Sequence, residues 1–397
     1  MLILGWTGIS LCLHQLLMFY PDRKRAALAA HKKFLFARLA EACLLIAAVL
    51  LYQQHGSLLI SEIMSTYGSD GTLAWRDQVA ALLIASAAMV KCAQFPMHGW
   101  LIQVVESPTP VSALLHAGII NLGGYLLLVS APLMQQADLA RWLVLVVAGI
   151  TCITAGLVMM TRVSVKVMLA WSTVAQMGLM LVECALGQHG LALLHLVAHS
   201  CYKAYSFLNS GSQVENYLRE QLALADRDGV LRLPVILFGC ITAVALASAW
   251  AGYRFPADAS LWLLFSLMLL VLVTERNSRV QDSGLAETLG LMAMLLGAYL
   301  IQKLVFNGIA PATNPPGGAL ATFWCAGLFT AMLLAYWLLR YRPASALGRR
   351  LYRNLFAGFY LDEWATRVTL ALWPAQLPQR IRQKKTFEGI QTTEVQV

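Results

Sequence analysis

One apolar stretch, MVKCAQFPMHGWLIQVVESPTPVSALLHAGIINLGGYLLL, carries Lys91, His98, Glu106 and His116. Pro96, Pro108 and Pro110 punctuate it, and each removes a backbone donor and interrupts a helix. A helix break at the depth of an apolar layer is tolerated where it is buried in protein or lines a watered cavity. Lys91 beside such a break is poorly explained as packing. Desolvation brings a lysine toward the range in which it can give up a proton. Further on, GLALLHLVAHSCYKAYSFLNSG places His195, His199 and Lys203 at successive four-residue steps, which makes one stripe along a helix. Two histidines four apart can bind zinc, but the metalloprotease pattern H-E-x-x-H is absent, and no nearby Cys or Asp offers a third ligand. The stripe is better suited to passing protons, since histidine titrates near neutrality. The alternative is a set of polar residues tying helices together. Arg38 and Glu41 lie three residues apart and share a helix face. They are either a structural ion pair or part of an ion path. Glu183 closes another apolar segment and reads as an interfacial residue.

The elements that must hold these groups follow from composition. Of 397 residues, 59% are hydrophobic and 12% charged, against about 25% charged in soluble domains. The charges cluster, leaving apolar runs of about 17–22 residues that match a bilayer core. Soluble enzyme, secreted disulfide scaffold and disordered chain are excluded. The fold class is all-α: a polytopic bundle of about eleven transmembrane helices. The expected segments are 2–20, 34–53, 77–95, 110–130, 141–160, 165–185, 190–212, 233–251, 259–274, 284–302 and 318–340, with 77–106 broken near Pro96. The tail beyond 343 is amphipathic and then polar.

Loop charge sets the orientation. PDRKRAALAAHKK holds five Lys or Arg against Asp22 alone, whereas HGSLLISEIMSTYGSDG has Glu62 and Asp70 and no Lys or Arg. By alternation Arg162, Lys166, Arg276, Arg279, Arg340, Arg342, Arg349 and Arg350 share the first loop's side, which the positive-inside rule makes cytoplasmic. The net charge of +9 lies in these strips, so no nucleic-acid partner is expected; membrane lipid is. The loop 214–232, with charge of both signs, is a solvated linker or a partner contact. The eight cysteines occur singly and without a C-x-x-C pair, so they read as small apolar packers.

KCAQFPMHGWLIQVVESPTPVSALLHAG, SVKVMLAWSTVAQMGLM and HLVAHSCYKAYSFLNSG resemble, in that order, the antiporter-like membrane subunits of respiratory complex I, membrane hydrogenases and multisubunit Na⁺/H⁺ antiporters. GWTGISLCLHQLLMFY and the Arg38/Glu41 pair extend the likeness over 1–213. Within that superfamily, HAGIINLGGYLLL, HSCYKAYSFLNSGS and the tail element GFYLDEWATRVTLALWP look most like the membrane subunits of DAB-type inorganic carbon transporters (the DabB family).

The resemblance implies roles. Lys91 matches the lysine at the break of a discontinuous helix, His116 the polar residue of the next helix, and Lys166 the basic residue opening another. His195, His199 and Lys203 match the central proton stripe. Thr7 stands where pumping members carry a glutamate that pairs with the broken-helix lysine, and Glu106 is the expected substitute. Segments after about 233 lack the late ionisable residue of pumping relatives. The chain starts at what would be an internal helix, so an abridged subunit and an upstream start both stay open. Three regions are expected: an antiporter-like core 1–213, divergent helices 214–340, and a cytoplasmic tail 341–397.

The function so implied is a cation-conducting (H⁺ or Na⁺) subunit in the cell inner membrane. It would drive a large cytoplasmic, zinc-binding, carbonic-anhydrase-like (DabA-like) partner, with no cofactor and no enzymatic chemistry in this chain. The alternatives are a proton-translocating subunit of a redox or Na⁺/H⁺ antiporter complex, and a non-conducting scaffold.

Overall fold

The computed structural model describes residues 1–20, 23–67, 73–211 and 318–373, with single helical positions at 297, 305, 308 and 309. The segments expected over 233–251 and 259–274, most of 284–302, the 214–232 loop, Arg276, Arg279 and the tail past 373 lie outside these residues. Everything regular among the described residues is helical.

Helix α1 (Leu2–Leu17) packs on α2 (Lys24–His55), which is 32 residues long and ends at Gly56 in the left-handed conformation, the favoured glycine helix stop. A short α3 (Ile60–Ser65) leads to α4 (Trp75–Lys91). Ala80, Ala81, Ala85, Ala87 and Ala88 of α4 are fully buried; such small residues let helix backbones approach closely inside a membrane. Gly123 uses this surface. A Cβ there would lie 2.5 Å from the Ala88 carbonyl oxygen, so only glycine fits between α4 and α7 (Leu122–Val129).

The chain leaves α4 through a turn at residues 92–98 and resumes as α5 (Gly99–Gln103). The break expected near Pro96 is present, but the helix already stops at Lys91. Pro108 and Pro110 do not interrupt a helix; they open α6 (Thr109–Ala117), where a missing N–H costs nothing.

A second break was not anticipated. The span expected over 110–130 splits at Gly118 into α6, a short 3₁₀ turn (Ile119–Asn121) and α7. Asn121 Nδ2 bridges it, donating to the Ala117 carbonyl and to Ser200 Oγ, both at 2.8 Å.

After α8 (Ala131–Gln136) come the long α9 (Asp138–Met159), α10 (Val165–Ala185) and α11 (His189–Leu208). Helices α9 and α10 pack side by side, α10 also packs on α11, and α11 lies against α6. A further apolar helix, α12 (Gly318–Tyr341), leans on α9. It is followed by α13 (Ala346–Phe356) and α14 (Glu363–Leu372). Among the described residues, five stretches are long and apolar enough to cross a membrane: 24–55, 109–129, 138–159, 165–185 and 320–341. Exposed Leu45, Ile46, Val49 and Tyr52 on α2 are the outward apolar surface such a helix presents to lipid.

The two ends of the bundle differ in charge. At one end Arg23, Arg25 and Lys166 line a common cleft with Glu106, and Arg162 donates to the Leu355 carbonyl at 3.1 Å. At the other, Asp77 Oδ1 accepts from Tyr67 and pairs with His55, both at 3.0 Å. Loops predicted to share the basic side therefore do meet.

Candidate ion path

Lys91 is the last residue of α4 and is buried. That position suits a cation, because the unpaired carbonyls of a helix C-terminus carry partial negative charge. Its ammonium lies 4.6 Å from the centroid of the Trp6 ring of α1, a cation–π contact that a desolvated site strengthens. Arg38 and Glu41 of α2 form an ion pair at 2.7 Å, and the charges of both reach Lys91. Ser10 of α1, fully buried, ties the group together. Its carbonyl and hydroxyl accept from Lys33 Nζ at 2.5 and 3.0 Å, and its hydroxyl from Arg38 at 3.4 Å. Three cations thus gather around one acid. That acid is Glu41, not Glu106. Glu106 is exposed in the basic cleft beside Arg23, Arg25 and Lys166, because the α5 turn carries it out of the bundle.

The second group forms where α6, α10 and α11 meet. His199 Nε2 donates to the His116 carbonyl at 3.2 Å. The His116 ring is fully buried, stacks on Phe207 at 4.4 Å, and has no hydrogen bond at either nitrogen among the described residues. Lys203, also fully buried, donates to Ser172 Oγ at 2.8 Å and to the Leu169 carbonyl at 3.2 Å. No carboxylate pairs with it among the described residues. His195 lies one turn up the stripe, its ring centroid 6.1 Å from that of His199. Its Nδ1 donates to Glu183 at 3.1 Å.

The structure thus brings His116, His195, His199 and Lys203 together, and Lys91 with Arg38 and Glu41. It leaves Glu106 and Lys166 at the basic cleft, Pro96 in the turn between α4 and α5, and Pro108 and Pro110 at the start of α6. Four groups near these sites were missed from sequence: Ser10, Lys33, Glu183 as the partner of His195, and, beside the path, the pair of buried Lys32 with partly exposed Asp362 at 2.8 Å. For Glu183 the available signal was a carboxylate inside an apolar helix. For Lys32 and Lys33 it was their place within a periodic apolar pattern, AALAAHKKFLFA.

Chemically, these are buried groups of types that can exchange protons or hold charge. Nothing among them is arranged as a nucleophile with its base. No cluster of three potential metal ligands occurs among the described residues.

Comparison with known proteins agrees. The family model described as NADH:quinone oxidoreductase/Mrp antiporter, TM, matches residues 1–278. A probable inorganic carbon transporter subunit DabB of Hydrogenovibrio crunogenus is 50% identical over 388 residues, covering 97% of this chain and 74% of that protein. A probable subunit DabB2 of Halothiobacillus neapolitanus is 38% identical over 378 residues, covering 92% and 68%. Among solved structures, the Mrp complex from Dietzia sp. DQ12-45-1b superposes with a TM-score of 0.50 at 22% identity. That match covers 94% of this chain and 42% of its counterpart, and it bears on the fold alone. The matched family, the near-complete alignment to DabB proteins and the helical bundle with its broken helices agree: the chain belongs to the NADH:quinone oxidoreductase/Mrp antiporter transmembrane family, in its DabB branch.

Proposed function

We propose that this chain is the cation-conducting, H⁺-conducting in the first instance, membrane subunit of an inorganic carbon uptake complex. It lies in the cell inner membrane with its basic end and tail in the cytoplasm. There it docks a large carbonic-anhydrase-like subunit that holds zinc and hydrates CO₂ to bicarbonate and a proton. The chain's part is to make that hydration one-way, by spending the free energy of an ion gradient. One observation carries the reading: two buried groups of ionisable residues, at Lys91 and at His116–His199–Lys203, each sit at a helix break in a chain half identical to a DabB protein.

In this reading Lys91 and Lys203 hold and release the proton. His199 and His195 relay beside Lys203, and Glu183 orients His195. Ser10, Arg38 and Glu41 set the charge around Lys91. The family model, which takes in Mrp antiporter subunits, supports a second reading, an antiporter-like subunit of an ion-exchanging assembly.

Co-expression with the cytoplasmic partner decides between them. The pair should restore growth in air to a host lacking carbonic anhydrase, and this chain alone should not. Rescue by the chain alone overturns the division of labour, and rescue by neither favours the antiporter reading. Cysteine labelling of the 55–74 loop from outside the cell checks the orientation. A loop reachable only from the cytoplasm contradicts it.

A further inference from the structure

The tail element GFYLDEWATRVTLALWP has no part in the path above, yet it reaches back into the bundle at the broken helix. Lys32, in the early turns of α2, is fully buried. Its ammonium donates to Asp362 Oδ1 at 3.0 Å, to Asp362 Oδ2 at 2.8 Å and to Thr366 Oγ1 at 2.7 Å. Gln103 Nε2 donates to the same carboxylate at 2.9 Å. Asp362 fits because its neighbour is Gly99, the first residue of α5. A Cβ at that position would stand 1.5 Å from Asp362 Oδ1. The tail therefore inserts an acid at the residue where the helix resumes after its break.

Asp362 is only partly covered. It lines a cavity of about 290 Å³, together with His98, Arg162, Trp171, Glu363 and Thr366. His98 belongs to the break itself and is buried, and its Nδ1 has no hydrogen-bond partner among the described residues. A partly exposed carboxylate and a buried imidazole thus share one cavity at the basic end. Lys33, the neighbour of Lys32 on α2, turns the other way, to Ser10 and the Lys91 group.

We propose that Asp362 is the proton port of the path, the carboxylate through which the broken helix exchanges protons with the cavity, and that His98 is the next acceptor. This rests on the conducting role proposed above. A proton from cavity water adds to an Asp362 oxygen and loosens the pair with Lys32. Its transfer across the cavity to the His98 imidazole restores the carboxylate and the pair. Only O–H and N–H bonds form and break. Burial raises the Asp362 carboxyl above its ordinary range, and the Lys32 charge and the bonds to Lys32 and Thr366 oppose that rise. The charged or titratable groups around it are Lys32 from α2, His98 from the break, Arg162 from the α9–α10 turn, Tyr360 from the turn before α14 and Glu363 from α14 itself; α5 contributes the neutral Gln103.

The test uses the full chain co-expressed with its cytoplasmic partner. It compares Asp362→Asn, Asp362→Glu, Gly99→Ala and Lys203→Met by gradient-driven carbon uptake, co-purification and melting of the complex. Gly99→Ala displaces the acid without removing a charge. Asp362→Asn and Gly99→Ala should lower uptake by about a hundredfold, as for the loss of a positioned proton carrier, with the partner still bound. Asp362→Glu should keep most uptake and move its pH profile. Wild-type uptake in Asp362→Asn overturns the proposal. So does a destabilised Asp362→Asn complex whose uptake returns in the swapped pair Lys32→Asp with Asp362→Lys, since that outcome leaves only a brace. Full uptake in Lys203→Met sinks the underlying conduction reading instead, whatever Asp362 shows.

Discussion

The two lysines at the centre of this bundle are held in opposite ways. Lys91 sits at a helix C-terminus, over an aromatic face, within reach of the Arg38–Glu41 pair. Lys203 lies within α11 and, among the described residues, donates to a hydroxyl and a carbonyl, with the Tyr202 ring centroid 5.5 Å away. The first site sets one acid and a helix dipole against three cations. The second offers neutral acceptors, so it carries no net charge when the lysine has lost its proton. Under the proposed function, the two lysines would therefore respond differently to a change in their surroundings. Thr7 belongs to this contrast: it puts no carboxylate on α1, and the acid near Lys91 comes from α2.

The largest effects should come from removing each lysine. Lys203→Met and Lys91→Met should each cost gradient-driven uptake about a hundredfold or more, the scale of a lost proton-transfer group. Stability should separate them. Lys203→Met replaces a lone buried charge by an apolar chain of similar length, and should leave melting unchanged or raise it, as in buried charges exchanged for hydrophobes, where the gain is about 1–4 kcal/mol. A large loss of stability there would show that Lys203 has an acid partner.

Glu41→Gln comes next. It leaves Arg38, Lys33 and Lys91 without their shared anion, and should destabilise by about 1–3 kcal/mol, the range for an unsatisfied buried group. Denaturation of the purified complex reads this directly. An unchanged midpoint would mean that the acid is not shared.

Glu183→Gln should be milder. It keeps a hydrogen bond to His195 and removes only the charge, so uptake should fall by about tenfold or less while folding holds. A null effect would take Glu183 out of the path. Thr7→Ala should move neither uptake nor melting beyond about 0.5 kcal/mol, as for substitutions away from special contacts. A strong phenotype would place the hydroxyl in the Lys91 site after all.

The order of helices was legible because apolar run length reports directly on a bilayer, and the stripe was legible because four-residue spacing is a local property of a helix. What stayed hidden was set by distant chain. The second helix was expected from residue 34, yet it begins at Lys24. Hydropathy sees Lys32 and Lys33 as water-seeking, whereas the fold gives them Asp362, 330 residues away, and Ser10. The break at Gly118 went unread because the apolar run continues through it, and only the bond from Asn121 to Ser200 of α11 shows how its polar groups are met. Glu183 looked interfacial for the same reason: its partner, His195, is on the next helix.

The central claim is that these buried groups carry protons, and ion flux tests it most directly. The complex is reconstituted in liposomes holding a pH-sensitive dye, and a potassium diffusion potential is imposed. The account predicts a potential-driven pH change that Lys203→Met and Lys91→Met both abolish while the complex stays assembled. An equal pH change in wild type and both variants would contradict it.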